Sequence, residues 1–183
     1  MPDFETYTVD SAPEGSQKLL RGLQDQVGFV PNLAATMAES PTLLEAFLAL
    51  RSLAHASSLD PIARELIAVA VSVETGCTYC VAAHTTLALK GGAQPEIADA
   101  VRAGTTLKDP RLQAFVRFAR AIVRRQGDVK ERLQDLFTAG MSRGQVLEAL
   151  VAIAVPMLAG SVFQLAAVEL DGAFTPQAWA RPA

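Results

Sequence analysis

The sequence predicts an all-α protein, on three observations. No stretch longer than a few residues alternates apolar and polar side chains with the period of two that a half-buried strand needs. No Asn-Gly or Asp-Gly pair links two β-branched runs, and Asp171-Gly172 follows a helical pattern and reads as its end. Helix-start signals recur instead: Ser40-Pro41, Asp60-Pro61 and Asp109-Pro110 each place a capping oxygen ahead of a proline at the first helical position.

Residues 1–12 read as irregular. Pro13-Glu14 opens a helix through Leu19, Leu20, Leu23 and Val27 that Gly28 stops. The turn around Val30-Pro31-Asn32-Leu33 leads into a short helix to about Ala38. From Pro41 runs a helix with a broad apolar stripe, Leu43, Leu44, Phe47, Leu48, Leu50 and Leu53. The helix from Pro61 to about Val73 is apolar nearly all round, with Arg64 and Glu65 as exceptions. A helix over 77–90 ends at Gly91-Gly92. Pro95-Glu96 opens a short one that ends near Gly104, and Asp109-Pro110 opens one with Leu112, Phe115, Phe118, Ala119 and Ile122 that stops at Gly127. Asp128 caps the next, to Gly140. Ser142 begins the last long helix, with a kink or break expected at Pro156 and Gly160. The tail after Gly172 reads as irregular.

The 183 residues suggest one domain, with an N-terminal helical extension over about 1–55 and a core over about 56–172. A net charge of −3 gives no reason to expect nucleic acid, and the basic residues between Arg111 and Arg132 have the spacing of a solvated helix side. Residues 149–168 carry no charge and are long enough to span a bilayer. Their Pro156, Gly160, Ser161 and Gln164 and their acidic flanks point instead to a helix buried in a core or between subunits. The acidic start Met1-Pro2-Asp3-Phe4-Glu5 shows no signal peptide, so a cytoplasmic location and no membrane association are expected.

Both cysteines and one of the two histidines sit in Cys77-Thr78-Tyr79-Cys80-Val81-Ala82-Ala83-His84. On a helix the steps of three and four put Cys77, Cys80 and His84 on one face. Two thiols beside an imidazole are the parts of a thiol-disulfide site, and in a reducing compartment a lone C-x-x-C is redox-active or metal-binding. Thr75 or Gly76 serves as N-cap, which puts Cys77 in the first turn, where the helix start favours a thiolate. The imidazole one turn on favours Cys80 instead. Glu65, on the preceding helix, is placed to return toward His84 or Cys80. It either orients and charges His84 or forms an ion pair with Arg64 or another basic residue.

Glu65, then Cys77-x-x-Cys80-x-x-x-His84, then Gly91-Gly92 resembles the alkyl hydroperoxidase D branch of the carboxymuconolactone decarboxylase superfamily. The Val30-Pro31-Asn32-Leu33 and Ser40-Pro41 elements are similar to its peroxidase-related members. The resemblance implies an AhpD-like helical bundle that assembles as a homo-oligomer: a dimer, trimer or hexamer. It implies a thiol-dependent peroxidase that reduces small organic peroxides through a disulfide cycle. Cys80 would be the peroxidatic thiol, Cys77, nearer the surface, the resolving one, and His84 with Glu65 the proton relay. A lipoyl or thioredoxin-like dithiol would reduce the pair. The family's best-studied pattern has a histidine just before the second cysteine. Here Tyr79 stands there, which is no base near neutral pH.

No cofactor is expected, since no G-x-G-x-x-G follows a strand. Three rivals remain. A decarboxylase of the kind that names the superfamily does not depend on a C-x-x-C. A zinc site would use Cys77, Cys80, His84 and Glu65, but three ligands on one helical face splay poorly into a tetrahedron. A non-enzymatic dithiol sensor would form the disulfide without turnover. Tyr79 divides between substrate-binding pocket wall and packing. His55 reads as a helix-end or solvent-exposed residue, Phe163 and Gln164 as core packing before pocket lining, and Met141 and Met157 as core.

Overall fold

The computed structural model describes residues 4–124 and 129–181. Among these the chain forms nine α-helices and no strand: α1 (Glu14–Val27), α2 (Asn32–Met37), α3 (Pro41–His55), α4 (Pro61–Thr75), α5 (Thr78–Lys90), α6 (Pro95–Ala103), α7 (Pro110–Arg124), α8 (Val129–Thr138) and α9 (Arg143–Ala166). A single 3₁₀ turn, Thr175–Gln177, interrupts the tail. The cap at Asp128 lies outside the described residues.

The start signals work as local chemistry requires. Ser40 accepts a hydrogen bond from the Leu43 amide, and Asp60 accepts one from the Ala63 amide. Ser142 and Gln145 close a reciprocal capping box at the start of α9.

α4 is the axis of the fold, packed against α5, α6, α7 and α9. Its apolar character all round follows from burial on several faces. Ala63, Ile67 and Val71, one turn apart, join α7, α8 and α9 in one cluster. Leu66, Val69 and Ala70 join α6 and α7 in a second. The remaining face carries Glu65 and Ala68 to a cavity. A third cluster gathers α1, α2, α3, the first turn of α5 and the end of α9 around Cys77, Tyr79 and Cys80.

α9 runs without a break through Pro156. Proline removes one amide from the ladder, and α9 packs against α3 and α4 along its length. By length and composition α9 could cross a membrane, but half of its most apolar window is buried inside this fold. Its other side is bare: Leu147, Leu150, Met157 and Leu165 are exposed, so Met157 is no core residue, whereas Met141 is. Gln164 is not core either. It is exposed, and its amide donates to the Thr75 carbonyl.

The basic run on α7 is not all solvated. Arg120 is largely buried, donates to the Val101 carbonyl and lies 3.3 Å from Glu74, which Arg124 also grips through two hydrogen bonds. Glu74, at the end of α4, collects both cations.

Candidate functional site

The α4–α5 turn sets the site. Gly76 takes the left-handed conformation (φ 72°) that ends α4, and only a residue without a Cβ does this freely. Cys77 itself, not Thr75 or Gly76, is the N-cap of α5: its Sγ accepts the Cys80 amide at 3.1 Å, as a serine hydroxyl would. The capping geometry turns the Cys77 side chain back over the first turn, toward Cys80. The two are joined by a disulfide.

The cysteines face different surroundings. Cys77 has no exposed surface and packs beneath α9, where Gly160 leaves room for it: a Cβ on Gly160 would lie 3.6 Å from that of Cys77. Cys77 is therefore not the cysteine nearer the surface. Cys80 is only 2% exposed, but it lines a cavity of about 140 Å³ that Cys77 does not. Glu65, His84, Tyr79 and Ala83 line the same cavity, with apolar walls from Leu23, Val27, Phe29, Phe47 and Phe174.

Glu65 and His84 meet as their helices predict. His84 Nδ1 lies 2.9 Å from Glu65 Oε2, while Arg64 Nε stands 3.5 Å from Glu65 Oε1. Both partners expected for Glu65 are present, on separate oxygens. Burial pushes the Glu65 carboxyl up, but the hydrogen bond and charge of His84, with Arg64 and His55, outweigh it and hold the group below its ordinary value. An ionised carboxylate only accepts, so the proton of this bond sits on Nδ1. Nε2 of neutral His84 is then left free as an acceptor.

Tyr79 resolves into both of its readings. Its ring lines the cavity, but its hydroxyl donates to Asp171 Oδ2 at 2.5 Å. Burial and that carboxylate push the phenol far above its ordinary value, so it stays a proton donor. Asp171 also accepts the Asn32 amide at the start of α2, and Phe174 stacks edge-on against Tyr79 and Phe29. The segment after α9 thus closes one wall of the cavity.

His55 is exposed at the end of α3, as read from sequence, yet it lines the cavity rim. Partial burial, then Arg64, pull its pKa below the ordinary histidine value, with Glu65 opposing. Phe163 does not reach this cavity. Sequence reasoning missed Arg51 and Lys90, two cations on the lining beside the Arg64 it had placed next to Glu65. The signal for Arg51 was available: it is the only charged residue amid the apolar stripe of α3 from Leu48 to Leu53. Among the described residues no group of three or more His, Cys, Asp or Glu side chains is arranged to hold a metal ion.

Comparison with known proteins agrees with this architecture. Residues 41–121 match the carboxymuconolactone decarboxylase family. No curated protein matches the chain. Among solved structures, an uncharacterised peroxidase-related protein with an alkylhydroperoxidase AhpD core from Ralstonia eutropha JMP134 superposes with a TM-score of 0.82 at 23% identity, over 95% of each chain. A peroxidase-related protein from Silicibacter sp. TM1040 gives 0.79 at 22%, over 96% of this chain and 95% of the other. The debrominase Bmp8 gives 0.81 at 22%, over 95% of each chain. At these identities the likeness establishes an AhpD-like fold.

Proposed function

We propose, from the premise that this chain carries a carboxymuconolactone decarboxylase family domain, that it is a thiol-dependent peroxidase acting on organic hydroperoxides. The observation that carries the reading is the asymmetry of the pair: Cys80 lines the cavity with His84 and Glu65, and Cys77 lies behind it, bonded to it. In the reduced protein His84 Nε2 takes the Cys80 proton, with Glu65 fixing the ring and balancing its charge. The Cys80 thiolate attacks the terminal oxygen of the hydroperoxide. An S–O bond forms, the O–O bond breaks, and the departing alkoxide takes the proton from His84 and leaves as an alcohol. Cys77 then displaces water from the sulfenic acid and the disulfide forms. Two electrons leave the sulfurs and enter the O–O bond.

An external dithiol must return those electrons. Both sulfurs are buried, so a slender lipoyl arm that enters the cavity fits better than the broad face of a thioredoxin-like protein. We place the protein in a reducing cytoplasm and as a homo-oligomer joined through the bare face of α9, where Leu147 and Leu165 are 66% and 73% exposed.

The test is turnover of an organic hydroperoxide with a dihydrolipoyl donor. Cys80→Ser abolishes it. Cys77→Ser, which keeps an N-cap oxygen, stops at a sulfenic acid on Cys80 that mass spectrometry detects as one added oxygen. His84→Ala lowers the rate by about 10²–10⁴-fold. Full turnover in Cys80→Ser overturns the reading.

The aromatic lining of the cavity favours one second reading. The same dithiol could reduce a bromoaromatic, with bromide leaving, a proton added to the ring and the disulfide formed, as the fold shared with a debrominase allows. Bromide release from a bromopyrrole, in place of peroxide consumption, would select it.

A further inference from the structure

We propose, resting on the peroxidase reading for the reaction but not for the binding, that the cavity takes a ligand with an apolar body and a carboxylate, and that Arg51 holds the carboxylate. The substrate class is then a hydroperoxide bearing an acid group, such as a hydroperoxy fatty acid.

The charge on the lining is the first argument. Arg51, Arg64 and Lys90 face one carboxylate, Glu65, in a chain whose net charge is −3. Glu65 is already engaged by His84 and Arg64. His55, His84 and Tyr79 are the other titratable groups on the lining; burial and Arg64 disfavour a charge on His55, and the Tyr79 phenol keeps its proton. The lining therefore carries more positive than negative charge among the described residues.

Arg51 is the second argument. It is half-buried on α3, and among the described residues it makes no ion pair and donates no hydrogen bond. A guanidinium taken partly out of water without a partner is costly, and burial pulls its pKa down. Its planar fork matches a carboxylate with two parallel hydrogen bonds, which would offset that cost. Lys90, exposed at the last turn of α5, adds to the attraction as a point charge.

The walls are the third argument. Phe29, Phe47, Leu23 and Val27 offer no polar partner, so they suit the hydrocarbon part of such a molecule. The peroxide end then lies toward Cys80 and His84, and the acid end toward Arg51 at the rim.

Calorimetry on the oxidised wild-type protein with octanoate and with octan-1-ol reads binding without turnover. Octanoate is expected to bind at least about tenfold more tightly, with a preference that weakens as salt is raised. Arg51→Gln is expected to remove about tenfold of that preference and Arg51→Lys to restore part of it. Equal affinity for acid and alcohol in the wild type, or an unchanged preference in Arg51→Gln, overturns the anion site. Should the glutamine variant fail to fold, the wild-type preference and its salt dependence still decide. The kcat/KM ratio of a hydroperoxy fatty acid to its methyl ester extends the test to reaction. Octanoate binding through Arg51 with no peroxide turnover sinks the peroxidase and leaves the site. Peroxide turnover with no acid preference does the reverse.

Discussion

His84 Nδ1 and Glu65 Oε2 stand 2.9 Å apart across the α4–α5 interface, nineteen residues distant in sequence. The bond fixes which nitrogen of His84 is free. Glu65→Gln keeps the shape and removes the charge. Its amide can present oxygen to Nδ1–H, but it no longer balances an imidazolium. Turnover is expected to fall by about 10–100-fold, through kcat more than KM, because Glu65 acts through His84. Steady-state kinetics on the variant check this.

The same carboxylate makes stability depend on pH, with a definite sign. The folded-state pKa of Glu65 lies below its ordinary value of 4.5. Its contribution is complete above that value, where the unfolded chain is also ionised, and is lost as pH falls through the lower folded value. The stability gap between wild type and Glu65→Gln is expected to narrow as pH drops from about 5 to about 3. Urea unfolding across that range measures it. A gap that widens toward acid would contradict the depressed pKa.

Tyr79 and Asp171 form the other long-range tie. Tyr79→Phe removes a hydrogen bond to a buried carboxylate, which keeps only the Asn32 amide. A loss of about 1–3 kcal/mol is expected, or a fall in Tm of about 2–4 °C per kcal/mol. Thermal unfolding checks it. The segment from Asp171 to Phe174 should also exchange its amides faster in the variant, since Tyr79 is what ties it to α5.

These ties show what the sequence could and could not disclose. The helices were legible because their signals are local: Ser40, Asp60 and Ser142 cap within three residues of themselves. The Glu65–His84 pair was legible because a short turn leaves two helices little choice of neighbour. Asp171 was not, because nothing near residue 171 indicates a phenol 92 positions earlier. Arg120 reads as solvated from sequence for the same reason: its partner Glu74 lies on another helix. Sulfur is an uncommon cap, so the sequence points to Thr75 or Gly76 as the N-cap. Cys77 fills the role only because the chain turns so tightly after Gly76.

Gly160 carries a packing prediction. A Cβ there would lie 3.3 Å from Thr75 Oγ1, tighter than ordinary contact, with Cys77 just beyond. Gly160→Val drives two further methyl groups into the cleft between α9 and the disulfide. A cost of about 1–3 kcal/mol is expected, despite the gain in backbone stiffness. Thermal unfolding of the oxidised protein measures it, and a stability equal to wild type would show that α9 can move aside.

The bare face of α9 carries the last. Leu147, Leu150, Met157 and Leu165 recur at helical spacing and are 40–73% exposed, and Leu53 on the neighbouring α3 is 62% exposed. A row this apolar on a long helix is unfavourable in water, and a second copy of the chain would cover it. Sedimentation equilibrium is expected to find an oligomer in the wild type. Leu150→Glu, within the row, puts like charges on the two copies of this face in a symmetric pairing and is expected to raise the dissociation constant by at least about a hundredfold. The α9 residues facing inward, Ala152, Ile153 and Val155, are untouched by that change, so the variant's helical content should match wild type. A wild-type monomer at micromolar concentration, or an oligomer indifferent to Leu150→Glu, would move the interface elsewhere.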